Sequence, residues 1–415
     1  MRLSCADEML LLNGCPGVIG LATVLSGERP DVQRVRARVV ERWAGLERMN
    51  CVLDRACGRR GCARWAVPGP FDPVAQVVEE RATLDELWAR SVDRPLADGV
   101  PPWRLYVIPD AERGGDFALA LVAQHALLDG RSLATLMRAL MDDPGPAGRR
   151  ERPVPLPRSG LRAAGRELKA MSAPGQALPT WPPERTYTSV AVRELPAHIV
   201  RSARRQPADG RGATLNELLV GAVAGALRAR FGPVRRWQER DVPVYTAVPC
   251  DLRGRGNPGE LGNTLTVVRV PLPVDLDGSV ARLRACQDAM AAVPDRAAVH
   301  ATVLFPAAEA ARRTGPWVTR LLTSRGRHSC FAATATTAMK WPGGPGTFQG
   351  RRLVRTVGLP PLQYPGTVSF ALAQAGDAFT LTAVGNAGPD DAIRLADAVV
   401  TEFETWARTA TPSVL

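Results

Sequence analysis

From Phe117 to Ala123 every residue is apolar, and the run closes on Gln124 and His125. A strand that is apolar on both faces belongs in the interior of a sheet. The period then changes. Leu133, Leu136, Met137, Leu140 and Met141 recur at i, i+3, i+4, i+7 and i+8, which predicts an amphipathic helix over 131–142. Farther on, Thr214-Leu-Asn216-Glu217 has the T-x-x-E spacing of a capping box, ahead of a helix running to about Phe231. Strands are predicted at about 242–249 and 264–272, and a helix at about 278–291. Thr367–Gln374 and Ala378–Val384 read as a hairpin around Ala375-Gly376-Asp377. The last helix begins near Pro389 and would turn Ile393, Ala396, Val399, Val400 and Phe403 inward.

Between the two halves this patterning fails. Residues 142–153 read Asp-Asp-Pro-Gly-Pro-Ala-Gly-Arg-Arg-Glu-Arg-Pro, and 179–183 read Pro-Thr-Trp-Pro-Pro. Proline at that density stops both helix and sheet. The segment 142–185 is therefore expected to be a linker, with one short helix near Leu161–Met171. It divides an N-terminal α/β unit, 1–141, from a C-terminal one, 186–415. No internal repeat is visible.

Size supports two units. The chain has 415 residues, 45% of them hydrophobic, and single cores stop growing near ~250 residues. A charged share of 23% is that of a folded protein. No apolar run approaches the ~18 residues of a membrane span. Arg2 and the apolar run after it suggest a secretion signal, but Asp7, Glu8 and Asn13 interrupt it. The segment reads as the start of folded structure, and a cytoplasmic protein is expected. Eight cysteines are too sparse for a disulfide framework. Cys51, Cys57 and Cys62 cluster without a nearby histidine and without C-x-x-C spacing, so no metal site is expected.

The formal net charge is +12. Almost all the basic residues are arginine, with Lys169 and Lys340 the exceptions. Such a surface attracts anionic lipid, coenzyme phosphates or an acidic carrier protein. Nucleic acid is not expected, because the arginines are scattered, aromatics make up only 5%, and no zinc-finger, basic-zipper or RNA-binding motif occurs.

Several chemistries are excluded by their motifs: there is no G-x-S-x-G, H-E-x-x-H or P-loop. Gly254, Gly256 and Gly259 have G-x-G-x-x-G spacing, but Pro258 lies inside it and a strand-like segment follows. A turn is expected there, not a dinucleotide site. The chain has four histidines. His198, His300 and His328 suit surface or packing roles. His125 ends a buried strand, where partial desolvation keeps an imidazole neutral and basic. Asp129 can then face a helix start, and Gly130 can take φ > 0 and bring the backbone close to a ligand. On its own the pattern also fits a structural histidine.

His125-Ala-Leu-Leu-Asp129-Gly130 matches the H-x-x-x-D-G signature of condensation-domain and chloramphenicol acetyltransferase-like acyltransferases. More narrowly, the chain resembles the bacterial wax ester synthase/diacylglycerol acyltransferases along its whole length. Leu3-Ser-Cys-Ala-Asp7 looks like their opening L-S-x-x-D, and Arg94-Pro-Leu to Trp103-Arg-Leu like their P-L-W segment. Thr214-Leu-Asn216-Glu217 looks like their T-x-N-D helix, and Val248-Pro-Cys-Asp-Leu-Arg253 with Gly262-Asn263 like their V-P-x-x-x-R…G-N block. Three positions depart from the family: Gln124 replaces the first histidine of H-H-x-x-x-D-G, Glu217 replaces the aspartate, and Lys340-Trp-Pro-Gly-Gly-Pro345 replaces N-V-P-G-P.

The resemblance implies two chloramphenicol acetyltransferase-like lobes, mixed sheets flanked by helices, with the site in a channel between them. It implies transfer of an acyl group from acyl-CoA or an acidic acyl carrier protein to an alcohol, with no bound cofactor and no metal. The departures point to a specialised, natural-product type of enzyme. An amine acceptor with a carrier-bound donor is the alternative, and a degenerate binding protein a further one. His125 would be the general base. Asp129 would orient and pair with Arg253, and the backbone near Gly130 would face the oxyanion. Gln124, Asn216 and Asn263 would position substrate, although either asparagine also suits a helix end or a turn.

Overall fold

The computed structural model describes residues 3–12, 17–55, 63–110, 115–143, 160–179, 187–205, 212–237, 242–253, 260–313, 315, 317–326 and 328–410. The turn expected at Gly254–Gly259, Cys57, Cys62 and half of the 142–185 linker lie outside them.

The first half runs α1 (Cys5–Leu12), β1 (Val18–Leu25), α2 (Val32–Trp43), β2 (Val52–Asp54), β3 (Arg64–Ala66), α3 (Pro73–Gln76), β4 (Val77–Glu79), α4 (Leu84–Ser91), β5 (Trp103–Asp110), β6 (Asp116–Gln124) and α5 (Gly130–Ala139). After the linker helix α6 (Leu161–Ser172) come β7 (Tyr187–Leu195), α7 (Ala197–Arg204), α8 (Leu215–Phe231), β8 (Val244–Asp251), β9 (Leu265–Leu272) and α9 (Ser279–Ala291). The chain continues through α10 (Val293–Val299), a π-helical turn at His300–Leu304, α11 (Phe305–Arg312) and α12 (Trp317–Gly326). It ends with β10 (Thr334–Lys340), β11 (Thr347–Phe348), β12 (Arg351–Leu359), β13 (Thr367–Ala375), β14 (Ala378–Ala387) and α13 (Asp391–Ala410).

Two six-stranded sheets result, ordered β11-β12-β1-β6-β5-β4 and β7-β14-β13-β10-β8-β9. The molecule is a mixed α/β fold of two sheet-and-helix lobes. The apolar run at 117–123 is central because it is paired on both sides, Leu121 with Leu21 of β1 and with Leu105 of β5. Its odd-numbered side chains, Phe117 to Ala123, join Leu133, Leu136 and Met137 of α5 in one core. The even-numbered Ala118, Ala120 and Val122 face Trp88 of α4, Val357 of β12 and Val384 of β14, a core shared between the lobes. Gly20 of β1 makes the centre thin enough for this: a Cβ there would stand 3.1 Å from both the Leu121 carbonyl and the Trp88 ring.

The division at 1–141 and 186–415 needs amending in two places. β11 and β12 leave the second half and extend the first sheet, with Val357 opposite Ala22. In exchange, α1 packs on α11 and α12, where Glu8 meets Arg312 at 3.1 Å and Thr319 at 2.9 Å. Local periodicity specifies a strand or a helix but not a partner some 300 residues away, so neither crossing shows in the pattern.

The capping box forms as its spacing predicts, with Thr214 and Glu217 bonding reciprocally at the start of α8. The last helix differs by a rotation. Ala392, Leu395, Ala396, Val399, Phe403 and Trp406 are its buried stripe, and Ile393 is 39% exposed. The linker helix α6 docks on the second lobe. Arg269 of β9, itself buried, donates to the Ala170, Met171 and Ala173 carbonyls at 3.0, 3.2 and 2.9 Å, satisfying the helix C-terminus.

His198 and His328 are exposed. His300 is 4% exposed and hydrogen-bonded on both ring nitrogens, to Thr266 Oγ1 at 2.6 Å and Glu167 of α6 at 2.9 Å.

Candidate active site

β6 ends at Gln124, and the chain turns over His125–Asp129 before α5 begins. His125 N–H donates to the Gly17 carbonyl at 2.6 Å and to its neighbour's Gln124 Oε1 at 3.0 Å, fixing where the turn leaves the sheet. The half-buried imidazole has its Nδ1 3.2 Å from the Leu128 carbonyl oxygen. A carbonyl can only accept, so Nδ1 carries a hydrogen, and in that neutral tautomer the lone pair lies on Nε2.

Asp129 is the N-cap of α5. Its Oδ1 accepts from Ser132 N–H at 2.8 Å, and its Oδ2 lies 2.7 Å from Arg253 Nη2 and 3.3 Å from Thr264 N–H. The two side chains are 2% and 3% exposed. Removing both charges from water is costly unless every remaining donor finds a partner. Here Arg253 also donates to the Gly262 carbonyl at 2.7 Å, to Ser132 Oγ at 3.1 Å, to the Glu260 carbonyl at 3.1 Å and to Asp251 at 3.2 Å. The pair bolts the α5 N-terminus of one lobe to the β8–β9 connection of the other. Outside it, Arg131 forms a second link with Asp251 at 3.3 Å.

Gly130 corrects an expectation. It does not adopt positive φ; it is an ordinary first residue of α5. It is exposed, and a Cβ there would meet nothing within 4 Å. The glycine keeps space open before the helix N-terminus rather than making an unusual turn. The first N–H groups of a helix lack intrahelical acceptors, so this opening faces positive backbone dipoles.

The asparagines separate. Asn263 Nδ2 donates to the His125 carbonyl at 2.6 Å and to Asp7 at 2.9 Å, so it holds the turn itself. Asn216 does not reach the turn; its Oδ1 accepts from Ala338 N–H at 2.9 Å, stapling α8 to β10. Gln124 borders a cleft of about 280 Å³ with Leu53, Arg55, Leu96, Asp98 and Pro102. Lys340 is exposed at the end of β10. Ser132 and Thr264, which both bind Asp129, were not singled out from the sequence, although Thr264 directly follows the Gly262-Asn263 pair.

Cys250 on β8 is no candidate nucleophile, since burial pushes its thiol up to about 11. Among the described residues no group of three or more His, Cys, Asp or Glu could hold a metal ion, and no helix is long and apolar enough to cross a membrane.

The two mixed α/β lobes meet at the His125–Gly130 turn, an arrangement shared in fold with several solved structures. The structure is similar to the first condensation domain of the calcium-dependent antibiotic synthetase (TM-score 0.68, 17% identity, 100% of this chain and 97% of that one). It is also similar to the trichothecene 15-O-acetyltransferase of Fusarium sporotrichioides (TM-score 0.67, 13% identity, 98% and 94%). A third similar structure is the wax ester synthase/diacylglycerol acyltransferase of Marinobacter aquaeolei VT8 (TM-score 0.64, 16% identity, 99% and 100%). At these identities the likeness is one of fold. The sequence decides the family: residues 18–244 match the wax ester synthase/diacylglycerol acyltransferase catalytic domain and 261–406 match the WS/DGAT C-terminal domain. The chain therefore belongs to the wax ester synthase/diacylglycerol acyltransferase family. No curated protein matches it significantly.

Proposed function

We propose that this family member transfers an acyl group from a thioester to an alcohol, with His125 as general base. The observation that carries this reading is the bond from Nδ1 to the Leu128 carbonyl, which leaves Nε2 as the acceptor on a half-buried ring. Nε2 takes the proton of the acceptor hydroxyl as its oxygen bonds to the thioester carbonyl carbon. The tetrahedral oxyanion faces backbone N–H at Gly130 and the positive end of α5. It collapses with cleavage of the C–S bond, and the thiolate recovers the proton from His125. Base assistance of this kind supplies roughly 10²–10⁴-fold. No cofactor or acyl-enzyme is required.

Asp129 and Arg253 hold the turn and do not touch substrate. Gln124, which borders the cleft, positions substrate. The donor is acyl-CoA or an acidic acyl carrier protein, either of which suits a chain of net charge +12. Gln124, Glu217 and the Lys340–Pro345 segment set the enzyme apart from storage-lipid synthesis, toward a natural-product acceptor. The test is incubation with acyl-CoA and paired panels of alcohols and amines, with products read by mass. Esters with stoichiometric thiol release are expected. Amides alone would replace the acceptor with an amine, and thiol release to water alone would overturn the reading.

A further inference from the structure

Four of the five backbone carbonyls in the turn His125–Asp129 accept from side chains, and the fifth, at Asp129, accepts from Leu133 N–H of α5 at 3.0 Å. The His125 carbonyl accepts from Asn263 Nδ2 at 2.6 Å, Ala126 from Arg48 Nη2 at 3.3 Å, Leu127 from Arg48 Nε at 2.9 Å, and Leu128 from the His125 ring. Two of the four depend on one guanidinium. Arg48 comes from the short turn Glu47–Asn50, lies over the Trp65 ring at 5.3 Å, and is mostly buried. Its planar fork offers two parallel donors in fixed geometry, which an ammonium cannot do.

Behind both donors stands Asp7. Its Oδ1 accepts from Asn263 at 2.9 Å, and its Oδ2 lies 3.8 Å from Arg48 Nη2 and 3.3 Å from Ser4 N–H. Asp7 belongs to α1, Arg48 to the first lobe and Asn263 to the second, so three distant segments converge on one five-residue turn. Ala126, Leu127 and Leu128 are buried, so their carbonyls cannot turn to water and the protein itself must supply the donors.

Resting on the general-base reading of His125, we propose that Asp7 and Arg48 are positioning residues. They fix the carbonyls of the turn so that Leu128 always presents its oxygen to Nδ1 and Nε2 always keeps the lone pair. Asp7 holds the two donors in place, and Arg48 holds the backbone. The opening L-S-x-x-D segment then serves the chemistry without touching it.

The experiment reads the tautomer directly. With only four histidines, ¹⁵N-histidine labelling gives a spectrum in which His125→Ala assigns the signal. Wild type is expected to show His125 protonated on Nδ1. Arg48→Lys and the isosteric Asp7→Asn are expected to show a mixture of Nδ1–H and Nε2–H forms. In the same variants kcat is expected to fall ~10²-fold, the cost of a misplaced reacting group, with KM for both substrates unchanged. Unchanged tautomer and kcat in both variants would overturn the proposal, as would a kcat loss that tracks Tm with the tautomer intact. If wild type transfers to no acceptor while the variants still lose the Nδ1–H form, the acyltransfer reading fails and the positioning role stands.

Discussion

Asp129 has both carboxylate oxygens engaged, by Ser132 and Thr264 N–H groups and by Arg253 at 2.7 Å, and its side chain is only 2% exposed. In the proposed mechanism its role is mechanical, and so is its partner's. Removing either leaves a buried charge alone, which typically costs ~3–5 kcal/mol. Asp129→Ala and Arg253→Ala are therefore expected to lose activity and Tm together, and the double mutant to lose little more than either single one. A thermal-melt double-mutant cycle measures this. Additive losses would mean that the two act separately, as a cap worth ~1 kcal/mol and a surface arginine would. The pairing of Asp129 with Arg253 beside His125 was legible from the motifs that carry these residues, and the structure brings the three together. Gly130 was legible as a position and not as a reason: a sequence does not tell whether a glycine is there for its φ or for the space it leaves. Asn216 shows the reverse difficulty, since an asparagine in a helix's first turn serves a neighbouring strand as readily as a substrate.

Helices were the most legible elements. The stripe on α5 and the capping box on α8 are local, and both form where their spacing puts them. The strand at β6 was legible as buried, but the place of β12, on the far side of β1 in the same sheet, was not, because pairing is long-range. The linker helix α6 was legible as a helix and silent about its destination. Its attachment gives a pH prediction. Burial would raise the Glu167 carboxyl, but hydrogen bonds from His300 and Arg296 outweigh it and hold it at about 2, against an ordinary 4.5. A carboxylate lowered by folding stabilises the protein above its unfolded value, and that contribution disappears as pH falls through the folded one. Between about pH 4.5 and 2 wild type should lose roughly 3 kcal/mol that Glu167→Gln never had. Acid-unfolding curves for the two proteins should converge at the low end. Parallel curves would show that the Glu167 contact does not hold α6 down.

At the scale of the whole molecule, the lobes are cross-braced. β11 and β12 pass one way, α1 passes the other, and the Asp129–Arg253 pair closes the seam beside His125. The net charge of +12 acts over the same scale, and with the proposed phosphate-bearing or acidic donor it would favour association with the protein. Raising ionic strength from low to moderate shortens the screening length to ~10 Å, so KM for the donor should rise more than KM for a neutral acceptor. A donor KM indifferent to salt would remove the electrostatic part of the account. The most direct test of the whole is the thiol-release rate of His125→Ala with acyl-CoA and an accepted alcohol, measured beside its Tm. A loss of roughly 10²–10⁴-fold with the melting temperature of wild type is the result expected of a general base in a turn held by other residues. Full activity in that variant, or a collapse of its stability, would contradict it.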